Sequence, residues 1–289
     1  MELPLVVGVD GSGPSLTAVD WAVDEAALHG LPLRLVHASR WERYEGALRA
    51  GTERPSDRVT AQNVVGTATE RARRRGPDVQ VSGNVLAEDP VDALLGADRS
   101  AFALVTGSRG RGELKGLLLG SVGLAVAARA HCPVVVVRGD LAGLSGTHGR
   151  ILLGAGAPGE GGEAVRFAFR EAELRGCVLD VVRAWRRPLT ATDGSVPEEE
   201  SVHRDEERAA ALLDELSREA RAGHPAVRVR GATVEGPAHG VLVDRAAAAD
   251  LVVVGARRTT GHGGLQLGRT AHALLHHAPC PVAVVPHRV

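Results

Sequence analysis

Aromatic residues are nearly missing from this chain, at 2% of 289 positions. Any core must therefore be built from Val, Leu and Ala, and a hydrophobic content of 44% is ample for that. Lysine is scarcer still: Lys115 is the only one, so almost all positive charge is arginine. Neither sign of charge is in excess. A net charge of −1 and a pI near 6.9 give no reason to expect nucleic acid or an acidic membrane as a partner. The one dense basic run, Arg71-Ala-Arg-Arg-Arg75, falls at the end of a predicted helix, where cations favour the helix C-terminus. Cysteine is limited to Cys132, Cys177 and Cys280, without the close spacing of a disulfide framework or a zinc site. The matched Cys132 and Cys280 read as buried structural thiols, and all three suit a reducing cytosol. The N-terminus meets Glu2 and Asp10 too early for a signal peptide. The long uncharged stretch at residues 116–128 is too short to span a bilayer. These absences predict a soluble, cytoplasmic protein.

Glycine, by contrast, is plentiful, and its distribution organises the chain. An apolar run, Ala103-Leu-Val-Thr106, predicts a short buried strand. A loop with Gly107, Gly110, Gly112, Gly116 and Gly120 follows, and Ser121 to Arg129 then reads as a helix. Strand, glycine loop and helix together present bare backbone N–H groups and a helix N-terminus to an anion. A glycine there leaves no Cβ between backbone and phosphate. The loop is not a Walker A motif, because the closing Gly-Lys-Ser/Thr is missing. Nor is it the dinucleotide fingerprint, whose glycines are more closely spaced.

The rest of residues 1–139 alternates strand and helix. Strands are predicted at residues 3–9, 33–38, 79–86, 103–106 and 134–137, with helices opening at Pro14 and Ser15, near residue 56, at Pro90 and at Ser121. Residues 41–55 read as a loop and residues 139–149 as a linker. The pattern then begins again. Ile151-Leu-Leu-Gly154 matches Leu5-Val-Val-Gly8 at an offset of 146, Glu171 to Gly176 matches Glu25 to Gly30, and Ala278-Pro-Cys-Pro-Val282 matches Ala130-His-Cys-Pro-Val134. The chain is an internal duplication, residues 1–139 and 150–289, each half an α/β domain with a five-stranded parallel sheet.

The spacing Gly, two residues, Gly, nine residues, Gly-Ser, filled by Gly107, Gly110, Gly120 and Ser121, resembles the ATP-binding signature of the universal stress protein family. Both halves resemble that family over nearly their whole length. The resemblance implies a Rossmann-like sheet of order 3-2-1-4-5 in each half, so the order reverses between strands one and four, where such sheets bind ligands. Asp10 ends strand one and Gly107 ends strand four, which brings both signals to one crevice. The family pattern places an acid at Asp10 that contacts the nucleoside, flanked by Gly8 and by Gly11-Ser12; the alternative role for Asp10 is helix capping. Ser108, Arg109 and Arg111 are expected to offset triphosphate charge through backbone N–H groups and guanidiniums, or else to be solvated loop residues. Ser121, with Val122, is expected to present N–H groups to a phosphate, a role compatible with capping the helix.

The resemblance further implies ATP accompanied by a divalent cation such as Mg2+, no fixed substrate, and a regulatory stress-response role. An enzyme of adenylyl transfer or nucleotide hydrolysis is the second class. It would need a positioned base or nucleophile, and the loop offers only Glu113. A structural module that binds nothing is the third. The second half departs from the signature: Gly156 stands for Asp10, Arg258 for Gly110 and Arg269 for Ser121, while Gly255 and Gly268 are kept and Thr270 follows one place late. ATP is therefore expected mainly in the first half. His272 and His276 have a helical metal-ligand spacing but no evident third ligand, so no metal site is expected. Strand five of each half is an apolar edge, which predicts an intramolecular pseudo-dimer, with a homodimer by analogy.

Overall fold

Three consecutive buried residues, Leu5, Val6 and Val7, start the first sheet. They belong to β1 (Leu5–Gly8), which pairs in parallel with β2 (Leu33–Ala38) on one side and β4 (Ala103–Gly107) on the other. β3 (Val81–Leu86) extends the sheet beyond β2, and β5 (Val134–Val137) extends it beyond β4. The resulting order is β3-β2-β1-β4-β5. Parallel neighbours need crossovers, and helices supply them: α1 (Gly13–His29), α2 (Asp57–Arg75), α3 (Pro90–Ala97) and α4 (Ser121–Arg129). α1 packs with α2, and α3 with α4, so the central strands are buried by helices and read as unbroken apolar runs.

The computed structural model describes residues 2–39, 57–110, 119–156, 162–186, 198–256 and 267–287. The chain divides into two units, Met1–Arg138 and Gly139–Val289. The second unit has α5 (Leu141–Leu144), β6 (Arg150–Gly154), α6 (Gly162–Arg175), β7 (Val178–Trp185), α7 (Glu198–Gly223), β8 (Arg228–Glu235), α8 (Ala238–Ala246), β9 (Leu251–Ala256), α9 (Arg269–His277) and β10 (Val282–Pro286). Its strands run β10-β9-β6-β7-β8, all parallel, which is the order of the first unit traced from the other edge. Each half is thus an α/β domain with the expected order 3-2-1-4-5. The cores are aliphatic, as the composition demanded: Leu5, Leu33, Leu35 and Leu104 in one unit, and Ile151, Leu152, Leu153 and Leu179 in the other, all at most 1% exposed. Burying each such side chain contributes about 1.5–3 kcal/mol. Cys132, Cys177 and Cys280 are buried and form no disulfide, and burial pushes the Cys177 thiol pKa up. Among the described residues no helix is long and apolar enough to cross a membrane.

Local chemistry explains the element ends. Ser12 opens α1 by accepting from Ser15 N–H at 3.3 Å, Pro14 occupies the first turn, and Gly30 closes the helix at φ 67°. The helix predicted to open at Pro90 stops at Ala97 and tightens into a 3-10 turn at Asp98–Ser100. There Asp98 is buried and its carboxylate accepts from the backbone N–H of His131 at 2.8 Å. The stretch at residues 139–149, expected to be a linker, carries the helical turn α5. Asp140 caps it by accepting from Gly143 N–H at 2.9 Å and donates its own N–H to Pro279 O at 3.1 Å. Gly139 (φ 109°) comes so close to Pro279 that a Cβ there would lie 2.1 Å from its carbonyl oxygen. The basic run at residues 71–75 also does more than favour a helix end. Arg71 and Arg75 reach across to Asp20 and Asp24 on α1, each as a two-pronged pair with contacts of 2.6 and 2.7 Å. Those hydrogen bonds raise both guanidinium pKa values. The loop expected at residues 41–55 lies outside the described residues.

Candidate functional site

The C-terminal ends of β1 and β4 flank a cavity of about 370 Å³ in the first unit. This is the point at which the strand order reverses, where open α/β sheets leave a crevice. The volume lies within the range of small-molecule pockets. Of the residues singled out in the sequence, Gly8, Asp10, Gly107, Arg109, Gly110, Gly120, Ser121 and Val122 line it. Arg111, Gly112 and Glu113 lie outside the described residues, as does Arg258 of the second unit.

Ser108 is not part of the lining. Its N–H donates to Val137 O at 3.0 Å and its carbonyl accepts from Gly120 N–H at 2.8 Å. The residue therefore ties the two ends of the glycine loop together and to β5, and its N–H is not turned to a ligand. Ser121 is not the helix cap either. Gly120 holds that position, with φ −72° and ψ 148°, and α4 opens with no side-chain cap. Ser121, Val122 and Gly123, the first turn of α4, line the cavity. A helix start carries N–H groups without intrahelical partners and a partial positive charge, and here no side chain caps them.

Asp10 does not cap α1, since Ser12 does. One carboxylate oxygen, Oδ1, accepts from Ser12 N–H at 2.9 Å, which holds the side chain in place at the end of β1. The other, Oδ2, faces Gly110: a Cβ on Gly110 would lie 2.6 Å from it. Gly107 is required for a different reason from the one its motif suggests. A Cβ there would lie 2.6 Å from the backbone carbonyl of Pro14, so this glycine lets β4 close against the start of α1. Gly120 has more room, its nearest neighbours being Arg109 Cα at 3.6 Å and Gly110 N at 3.7 Å.

The opposite wall is apolar and was not singled out in the sequence. Val9 on the chain leaving β1, Val36 and Ala38 at the end of β2, and Pro90 and Leu94 on α3 line it. Alternation in β2 and the four-residue spacing on α3 were visible signals of buried faces, but neither says which strand end those faces cover. Leu94 lies over Gly8, 3.0 Å from where its Cβ would be. His37 braces the floor: its Nδ1 is 2.7 Å from Val9 O, and because a carbonyl only accepts, Nδ1 carries the proton.

The second unit repeats the crevice and changes its chemistry. A cavity of the same volume, about 370 Å³, lies at the ends of β6 and β9. Gly154 and Leu242 occupy the places of Gly8 and Leu94, and Gly268 opens α9 without a side-chain cap. Gly156 lines it in place of Asp10, Val254 in place of Thr106, and Arg269 and Thr270 stand at the helix start. The position of His37 is Arg183, whose guanidinium donates to the carbonyls of Ala155 and Gly156. His272 and His276 on α9 stack on each other, with ring centroids 4.4 Å apart.

Comparison with known proteins agrees with this architecture. The family model described as "Universal stress protein family" matches residues 3–138 and again residues 147–286. Universal stress protein Rv2005c of Mycobacterium tuberculosis H37Rv is 33% identical over 294 residues, covering 97% of this chain and 96% of its own. The crystal structure of a universal stress protein from Archaeoglobus fulgidus has the same fold across 99% of both chains, with a TM-score of 0.68 and 17% identity. Another universal stress protein from that organism, solved in complex with dAMP, is 26% identical over 47% of this chain and 98% of its own, with a TM-score of 0.37. Two family matches in sequence order, full-length relatives and the shared fold make one conclusion: this chain belongs to the universal stress protein family and carries two of its domains in tandem.

Proposed function

We propose that the first unit holds ATP in the cavity between β1 and β4, and that the chain is a nucleotide-responsive regulatory protein, not an enzyme. The observation that carries this reading is the opening of α4. Its first turn lines the cavity with no side-chain cap, beside the bare backbone of Gly110 and Gly120. Phosphate oxygens would satisfy those N–H groups and meet the positive end of the helix. Arg109, in the same lining, adds a guanidinium. The apolar wall of Val36, Ala38, Pro90 and Leu94 suits a flat base, and Asp10, between the two ends, suits the hydroxyls of a ribose.

Asp10 is the one carboxylate among the described lining residues, so a Mg2+ arriving with the nucleotide would be held mainly by phosphate oxygens and water. The same lining supports a non-catalytic role, because Asp10 and Arg109 are its only charged side chains among the described residues. Hydrolysis or adenylyl transfer needs a positioned base or nucleophile. Three buried cysteines that form no disulfide support a reducing, cytoplasmic location.

Mass analysis of nucleotide released from freshly purified protein tests the reading, followed by a turnover assay. ATP that is recovered intact and stays intact on incubation is the expected result. Steady conversion to ADP would replace the regulatory reading with a hydrolase. Absence of nucleotide, together with no calorimetric signal for ATP, would leave a structural module.

A further inference from the structure

The two cavities have the same volume and the same helix-start geometry, yet the charged group beside the end of strand one is an acid in the first and an arginine from strand two in the second. In the first unit the Asp10 carboxylate stands there, beside the His37–Val9 contact. In the second, Gly156 has no side chain and Arg183 takes the place of His37, bonded to the carbonyls of Ala155 and Gly156. Arg269 lines the same cavity at the start of α9. No carboxylate is found among its described lining residues. His287 also lines it, and its Nδ1 is shielded from solvent with no hydrogen-bond partner among the described residues.

A carboxylate accepts from sugar hydroxyls, and an added phosphate would be repelled by it. A guanidinium beside the same strand end donates, and it recognises an anion through two parallel N–H groups. Dinucleotide folds likewise meet a free ribose hydroxyl with an acid and a ribose phosphate with a nearby arginine. We propose that the cavity of the second unit is a separate ligand site for a nucleotide phosphorylated on its ribose as well as at its 5′ end. Arg183 receives the ribose phosphate, and the start of α9 with Arg269 receives the 5′ phosphate. The direction of the ligand in the cavity rests on the reading of the first unit given above; the cavity and its charge do not.

The test uses the full chain carrying Gly120→Glu, which closes the first site, and calorimetry with adenosine 5′-monophosphate, adenosine 3′,5′-bisphosphate and pyrophosphate. The bisphosphate is expected to bind roughly ten- to a hundredfold more tightly than the monophosphate, the effect of one charge-assisted contact. Arg183→His copies the first unit, where His37 makes the equivalent carbonyl contact, and it should erase that margin. Arg269→Ser copies Ser121 and should weaken both nucleotides alike. Equal affinity for the two nucleotides, or a margin that survives Arg183→His, overturns the proposal. So do failure of both to bind and pyrophosphate binding as tightly as the bisphosphate. Should Arg183→His lose its native circular dichroism, Arg269→Ser decides: unchanged affinity for both nucleotides in that variant also overturns the assignment. Failure of the first-unit reading would appear separately, as ATP affinity unaffected by Gly120→Glu, and the Arg183 comparison is still read in that event.

Discussion

The two units share one strand order and one cavity volume, and they differ in which side chains reach the cavity. Everything that builds the crevice is kept in both: the glycine at the end of the first strand, the leucine above it, and a glycine that opens the helix without a side-chain cap. What varies is the chemistry at its two ends. Duplication has preserved the frame because the frame is packing, and a packed core tolerates little change in volume. Asp10, Arg183 and Arg269 line the cavities and are not part of the apolar core, so exchange at such positions costs the core little. A pair of pockets on one frame is therefore an internal control, in which a change in one can be read against the other.

The largest effect is expected where the frame meets the ligand. Gly120→Glu should abolish ATP binding to the first unit while circular dichroism stays native, because the Cβ has room at 3.6 Å but the carboxylate enters the space assigned to phosphate. Gly268→Glu, its equivalent, should leave ATP binding intact; calorimetry on the pair compares the two pockets directly. Next comes Gly107→Ala. A Cβ 2.6 Å from the Pro14 carbonyl has only backbone to displace, so a loss of about 1–3 kcal/mol is expected, seen as a lower melting transition. A melting curve unchanged from wild type would remove the packing role given to that glycine.

Asp10→Ala should be milder for binding than Gly120→Glu. Loss of a hydrogen bond to a charged group costs about 1.5–3 kcal/mol, or roughly ten- to a hundredfold in ATP affinity. Wild-type affinity in this variant would show that the carboxylate does nothing but hold the Ser12 turn. The smallest effect is expected at the helix surface. The positions of Asp20 and Asp24, which pair with Arg71 and Arg75, are Arg166 and Arg170 in the second unit. Both pairs are substantially solvent-exposed, so Asp20→Asn should lower stability by less than about 1 kcal/mol, and the difference should shrink as salt is added. A loss that persists at high salt would mean that packing, not charge, is at work there.

Much of this protein was legible in residue order alone. The apolar runs at residues 103–106 and 134–137, the helix signals at Pro14 and Gly30, and the repeat at an offset of 146 all act through neighbours along the chain, so local chemistry displays them. Even the convergence of Asp10 and Gly107 on one crevice followed once the sheet order was supplied by resemblance. The linker reading of residues 139–149 missed a helical turn because Asp140 and Gly139 are held by Pro279, almost 140 residues away.

Sequence by itself determined that there would be two α/β units with aliphatic cores, and that only the first would keep the glycine and serine signature intact. Only the tertiary structure decided what each of those residues does. Gly107 is small for the sake of Pro14, Ser108 is tied to Val137 and Gly120, and the helix start is left to Gly120, whose lack of a side chain leaves its N–H groups uncapped. It also decided that Arg183 stands where His37 does, beside the place where an acid has become glycine. The physical reason is reach. A strand or a helix is set by contacts a few residues apart, whereas a binding site is the meeting of strand ends and a helix start far apart in the chain, and its charge is settled only when they meet.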